Sequence, residues 1–263
     1  MYKDEIIAEV WRNRDAYVRA HHHDLNEIVA DLRRREKEHP QRVVDRRPRR
    51  RTESNAMKED AMLTPSKALP LAGEVFSVQG HTAFLIRPGQ VAARNQMAWV
   101  WYAPTLPGLP GTEETWMFEK FTNAGIAVAG IDVGESCGNP NGRGLFSAFY
   151  EELVLRRGLS KTPCLLARSR GGLMLYNWAA EHPSSVACVA GIYPVCNLSS
   201  YPGIKSACGA YGMTEEQLTA KLTEHNPIDR VEPLAKAHVP IYHIHGDSDT
   251  VVPLEKNSGE LAQ

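Results

Sequence analysis

The segment Cys164-Leu165-Leu166-Ala167-Arg168-Ser169-Arg170-Gly171-Gly172 runs an apolar stretch into a serine flanked by small residues. A helical pattern follows it, with Leu173, Tyr176, Trp178, Ala179 and Ala180. A strand, a sharp turn and a helix in that order lift a serine hydroxyl above a sheet, where it can attack an acyl carbon. Such a turn needs small neighbours, because its backbone is strained and other chain segments pack closely against it. Further on, Pro240-Ile241-Tyr242-His243-Ile244 reads as a buried strand that ends in the polar loop His245-Gly246-Asp247-Ser248-Asp249-Thr250, whose Asp249 lies eighty residues after Ser169. A carboxylate on that loop has the chemistry to orient a histidine base for a serine nucleophile.

The two motifs and their order resemble the α/β-hydrolases over roughly Glu74 to Gln263. Ala167 stands where the usual nucleophile elbow has its first glycine, so the match is A-x-S-x-G. HGDSDTVVP is similar to the family's acid loop, in which the second aspartate is the triad acid. The resemblance implies Ser169 as nucleophile and Asp249 as acid, with Asp247 as the neighbouring candidate. It implies the backbone N–H of Arg170 as one oxyanion donor. The second would come from the loop after the strand Met97 to Tyr102. No HG motif stands there and Pro104 has no N–H, which leaves Ala103 or Thr105. Tyr102, Glu135, Arg168 and Tyr193 are the implied substrate-binding positions, Glu135 within Val133 to Gly138, which resembles the family's D-x-x-G-x-S loop. Arg168 and Arg170 suggest an anionic substrate unless one pairs with Glu135 or a helix acid. The resemblance calls for neither a metal nor an organic cofactor.

In this family the histidine follows the last strand, tens of residues beyond the acid. No histidine follows His245 in this sequence. The expectation is therefore an α/β-hydrolase domain that is C-terminally truncated, with its catalytic triad incomplete. His182, His225, His238, His243 and His245 are the available substitutes. Structural or surface roles are expected of them.

The elements that must hold these groups alternate. Val75 to Val78 and Thr82 to Ile86 flank Gly80 as an edge hairpin. Met97 to Tyr102, Ile126 to Asp132, Cys164 to Ala167 and Ser185 to Tyr193 are apolar runs long enough for buried strands. Thr112 to Ala124 and Phe146 to Arg157 read as helices closed by Gly125 and Gly158. Alternation of this kind predicts an α/β fold, a three-layer sandwich around a mostly parallel sheet. Residues 196–237 break the pattern and read as a helical lid insertion, and Glu255 to Gln263 as the start of a helix.

Residues 1–56 differ in kind and read as a helical and basic extension, partly disordered, ahead of a hydrolase domain at 57–263. Ile6, Ile7, Val10 and Trp11 have helical spacing. Between Arg33 and Arg51 there are ten Lys or Arg against three Asp or Glu, although the whole chain carries a net charge of −1. A solvated linker explains that run, and no base-reading motif accompanies it, so nucleic-acid binding is not expected. No apolar run reaches the roughly 20 residues of a membrane span. The five cysteines are dispersed, without CxxC pairs. Cys164 and Cys188 read as small core hydrophobes, and reduced thiols imply a cytoplasmic protein. The functional expectation is a serine esterase acting on a small-molecule acyl substrate. A prolyl-oligopeptidase-like peptidase and a catalytically dead hydrolase retained as a scaffold are the alternatives.

Overall fold

The computed structural model describes residues 65–89 and 96–263, with scattered positions between 16 and 35. The chain divides into two compact units, Met1–Ala61 and Met62–Gln263. In the first, the buried Asp31 accepts from the Tyr17 hydroxyl at 2.7 Å and pairs with Arg35 at 2.8 Å. The predicted helix face at Ile6 to Trp11, most of the basic run and Met57 lie outside the described residues.

The second unit is built on one seven-stranded sheet, ordered β1-β2-β4-β3-β5-β6-β7. β1 (Glu74–Val78) and β2 (His81–Ile86) form the expected antiparallel edge hairpin, and β2 runs antiparallel to β4 (Ala127–Ile131). From β4 onward, β3 (Trp99–Ala103), β5 (Cys164–Arg168), β6 (Cys188–Ile192) and β7 (Ile241–Ile244) are all parallel. β3 and β4 are buried along their whole length, as strands covered on both faces must be. One face packs around Trp101, whose ring centroid lies 4.7 Å from Trp178, 5.1 Å from Phe146 and 5.3 Å from Phe149. Helices α2 (Pro140–Glu151) and α3 (Gly171–Glu181) supply those partners. The opposite face packs Tyr102 and Phe84 with Phe118 of α1 (Thr115–Asn123). That helix does not reach β7, where Tyr242 is 71% and Ile244 78% exposed.

Two helix starts differ from the sequence reading. α2 begins at Pro140, six residues before Phe146, because Asn139 caps it: the Asn139 Oδ1 accepts from the Gly142 N–H at 2.7 Å. A capping Asn followed by Pro at the first helical position is a strong start signal. The predicted helix from Thr112 opens with a 3-10 turn, Thr112–Glu114, whose N-cap is Gly111, and Glu114 turns inward to accept from the Gly111 N–H at 2.7 Å.

Between β6 and β7 the chain forms α4 (Ile204–Tyr211), α5 (Glu215–Ala220), α6 (Leu222–His225) and α7 (Glu232–Lys236). Tyr211 anchors this segment by donating to the Cys137 carbonyl at 2.9 Å. After β7, α8 (Ser258–Leu261) is tied back by Asn257, whose Oδ1 accepts from Cys196 N–H at 3.0 Å and Asn197 N–H at 3.2 Å. No described helix is long and apolar enough to cross a membrane.

Candidate active site

Ser169 occupies the turn between β5 and α3 at φ 48°, left-handed backbone that costs a non-glycine residue about 1–3 kcal/mol. Three hydrogen bonds hold it there. Its N–H donates to Ile192 O at 3.0 Å, and its carbonyl accepts from Gly172 N–H at 3.0 Å and Val195 N–H at 2.8 Å. The two glycines that follow are dictated by packing. A Cβ on Gly171 would lie 2.0 Å from the Ala103 carbonyl oxygen, and one on Gly172 would lie 2.3 Å from that of Val195. Both obstacles are backbone and cannot rotate away. We expect Gly171→Ala to cost about 2–3 kcal/mol in urea unfolding, as overpacking of a fixed wall does, and to shift β3 away from Ser169.

Ser169 opens into a cavity of about 200 Å³ lined also by Pro104, Leu109, Arg168, Arg170 and Tyr193. The Arg170 N–H, next to the nucleophile, has no acceptor among the described residues and is free to meet an oxyanion. Of the other positions singled out in the sequence, Ala103 lies inside β3 against Gly171, Tyr102 is fully buried, and Glu135 holds Arg170. None of these three lines the cavity, and neither does Asp249 or any residue of the 196–237 insertion. A larger hollow of about 450 Å³ opens beyond the same loop, between Lys67, Asp132 and Pro107 to Gly111, away from the serine.

Beneath the cavity lies a charge network that the sequence did not reveal. Glu114, 2% exposed, pairs with the Arg168 guanidinium and accepts from the Tyr102 hydroxyl at 3.1 Å. Arg168 Nε donates to the Tyr193 hydroxyl at 2.9 Å. Burial works against the charge on Arg168, but hydrogen bonds to Tyr193 and Tyr102 and the facing Glu114 keep it firmly protonated. Both arginines beside the serine therefore carry a carboxylate partner, Glu114 for Arg168 and Glu135 for Arg170. That removes the argument for an anionic substrate.

Asp249 closes its own loop: Oδ1 accepts from the N–H groups of Val251 and Val252, each at 2.9 Å, while Oδ2 stands 4.0 Å from His245 Nε2. Asp247 is exposed and accepts from Ser248 at 3.1 Å. The histidines of β7 are engaged in a chain of their own. The Val252 carbonyl can only accept, so His245 Nε2, 2.7 Å away, carries the proton. Its Nδ1 then accepts from Ser258 Oγ at 2.7 Å, Ser258 accepts from His243 Nδ1 at 2.8 Å, and His243 Nε2 accepts from the Tyr176 hydroxyl at 2.6 Å. His182 sits against Ser147 at 3.4 Å, and His225 packs on the Tyr211 ring with both nitrogens unpartnered. No described histidine contacts the Ser169 hydroxyl.

The network keeps His243 neutral. Burial, and then His245, push it down to about 4. The unfolded chain takes up that proton near pH 6.5, so between pH 6.5 and about 4 the unfolded state binds protons that the folded state refuses. Stability is thus complete above pH 6.5 and falls as pH drops through that window. His225, lowered first by burial and next by Arg143, adds in the same direction. Urea midpoints measured from pH 8 to pH 4 should decline, and His243→Gln should flatten the decline. An equal slope in that variant would remove His243 as its source.

A serine on a strained turn at the carboxyl end of a parallel strand, above a seven-stranded sheet with an antiparallel edge hairpin, is the architecture of the α/β-hydrolases. The chain has that fold. Among solved structures it is similar to a lipase/esterase from Lactobacillus plantarum, with a TM-score of 0.56 at 16% identity over 73% of this chain and 85% of that one. It is similar also to a puromycin-hydrolyzing peptidase of Mycobacterium tuberculosis, with a TM-score of 0.57 at 17% identity over 72% of this chain. A third is an acylaminoacyl peptidase from Pyrococcus horikoshii, with a TM-score of 0.55 at 14% identity over 73% of this chain. The chain spans only 33% and 34% of the length of those two peptidases. No protein-family model and no curated protein matches the sequence.

Proposed function

We propose that this chain is the nucleophile-bearing module of a serine hydrolase that cleaves a small carboxylic ester. The observation that carries the reading is Ser169, fixed in a strained conformation at the mouth of the 200 Å³ cavity. Ser169 Oγ attacks the acyl carbonyl, and the Arg170 N–H receives the oxyanion. The Tyr193 hydroxyl accepts from Arg168, which leaves its own proton to donate toward the ester oxygen that departs. Asp249 is the acid that orients a histidine. Among the described residues no base lies within reach of Ser169, because His243 and His245 are engaged elsewhere.

The cavity is smaller than the roughly 300–1,000 Å³ of most ligand sites, which favours a short acyl group over a peptide. The peptidase reading draws on the solved neighbours, and the inactive-scaffold reading on the missing base. Fluorophosphonate labelling of the folded chain, read by intact mass beside Ser169→Ala, separates these readings. Phosphonylation confined to Ser169 supports the hydrolase. A folded chain that stays unlabelled even with an added base supports the scaffold. Faster acylation of Ser169 by a prolyl-peptide ester than by a short alkyl ester supports the peptidase.

A further inference from the structure

The sequence carries five cysteines. Cys164 and Cys188 open β5 and β6 and are register partners in the parallel ladder. Register partners project from the same face of a sheet, and adjacent strands lie about 4.8 Å apart. That separation falls within the roughly 4.4–6.8 Å between Cα atoms that a disulfide spans. The two thiols face each other across the ladder, and each shifts the titration of the other. They lie at the amino ends of their strands, the end of the sheet opposite Ser169, and neither is fully buried. The same face continues through Ala190 and Ile192 to the exposed Tyr242 and Ile244, so small solutes approach the pair from the open side.

We propose that Cys164 and Cys188 form a dithiol–disulfide site that reacts with hydroperoxides. The Cys188 sulfur, as thiolate, attacks one peroxide oxygen; the O–O bond breaks, and the departing hydroxide takes a proton from solvent. This leaves a sulfenic acid on Cys188. The Cys164 sulfur then attacks the Cys188 sulfur, the S–O bond breaks, and hydroxide leaves with the Cys164 proton as water. Two thiols are oxidised to one disulfide, and one hydrogen peroxide is reduced to two waters.

The division of roles follows from the contact. The facing Cys164 thiol lowers that of Cys188 against the opposing effect of burial, which favours Cys188 as the attacking sulfur. The same pairing raises Cys164, which suits it to the resolving role. The remaining cysteines are poorer nucleophiles or lack a partner. Burial pushes Cys137 up to about 11 and raises Cys196, while Cys208 donates to the Ile204 carbonyl at 3.2 Å.

The test treats the full 263-residue chain with one equivalent of hydrogen peroxide and maps its peptides without reductant. The expected product links Cys164 to Cys188 with loss of two hydrogens and reverts with dithiothreitol. Cys164→Ser should stop at a Cys188 sulfenic acid that dimedone traps. Cys188→Ser, with unchanged circular dichroism, should consume peroxide roughly tenfold more slowly, because the reactive thiolate is gone. Oxidation that falls first on Cys137 or Cys208, or a pair that stays reduced while the chain is folded, would overturn the proposal.

Discussion

Added imidazole is expected to accelerate fluorophosphonate labelling of Ser169 about a hundredfold, the scale of a positioned general base, and to do nothing in Ser169→Ala. The expectation follows from what the site has and what it lacks. The serine is preset by three backbone hydrogen bonds, and the neighbouring Arg170 N–H is unclaimed. Binding and oxyanion contributions should therefore be in place without a base. Among the described residues the base is the missing part. His243 and His245 are consumed by Tyr176, Ser258 and Val252, and no described histidine reaches the hydroxyl. A small diffusible base can enter a cavity as open as this one and take the proton. Labelling should follow the free-base fraction of imidazole and so rise with pH through about 7. A rate in the wild type that imidazole leaves unchanged, beside a Ser169→Ala chain that labels equally, would mean that Ser169 is not a nucleophile.

Much of this site was legible in the sequence because its signals are local. Apolar runs bounded by turn residues fixed the strands, and the small residues after Ser169 announced a turn that the Ala103 and Val195 carbonyls press against. The order of serine and aspartate then restricted the topology. What the sequence concealed depends on partners distant along the chain. Glu114 reads as an ordinary acidic residue near a helix start, favourable to the helix dipole. Its burial under Arg168, fifty-four residues on, follows from the placement of β3 between β4 and β5. The one local clue was its position three residues after Gly111, from which its carboxylate can reach back to the Gly111 N–H. Cys164 and Cys188 each read as small apolar residues, and only the register of β5 on β6 makes them a pair. The start of α2 is a different case. Asn139-Pro140 carries the start signal, whereas the aromatic periodicity begins only at Phe146.

Glu114→Gln is expected to destabilise the folded chain by about 3 kcal/mol, the lower end of the 3–5 kcal/mol seen when one partner of a buried ion pair is removed. The lower end applies because the Arg168 side chain keeps 26% of its surface in contact with solvent, against 3% for Glu114. The glutamine amide retains the shape and can still accept from the Gly111 N–H through its oxygen, so the loss isolates the charge. Arg168 would then stand beside Ser169 with only neutral hydroxyls, those of Tyr193 and Tyr102, around its guanidinium. Urea unfolding should show a lower midpoint with an unchanged slope, the mark of altered stability rather than altered compactness. Arg168→Met alone should also destabilise, because it leaves the Glu114 carboxylate buried with the Tyr102 hydroxyl and the Gly111 N–H as its remaining donors. The double variant Glu114→Gln, Arg168→Met removes both charges, so its loss should be well below the sum of the single losses, with a coupling above about 1 kcal/mol. Additive losses would mean that the pair does not support the floor of the cavity. Strong coupling would identify Glu114 as the residue that holds Arg168, and through it the Tyr193 hydroxyl, in position behind the nucleophile.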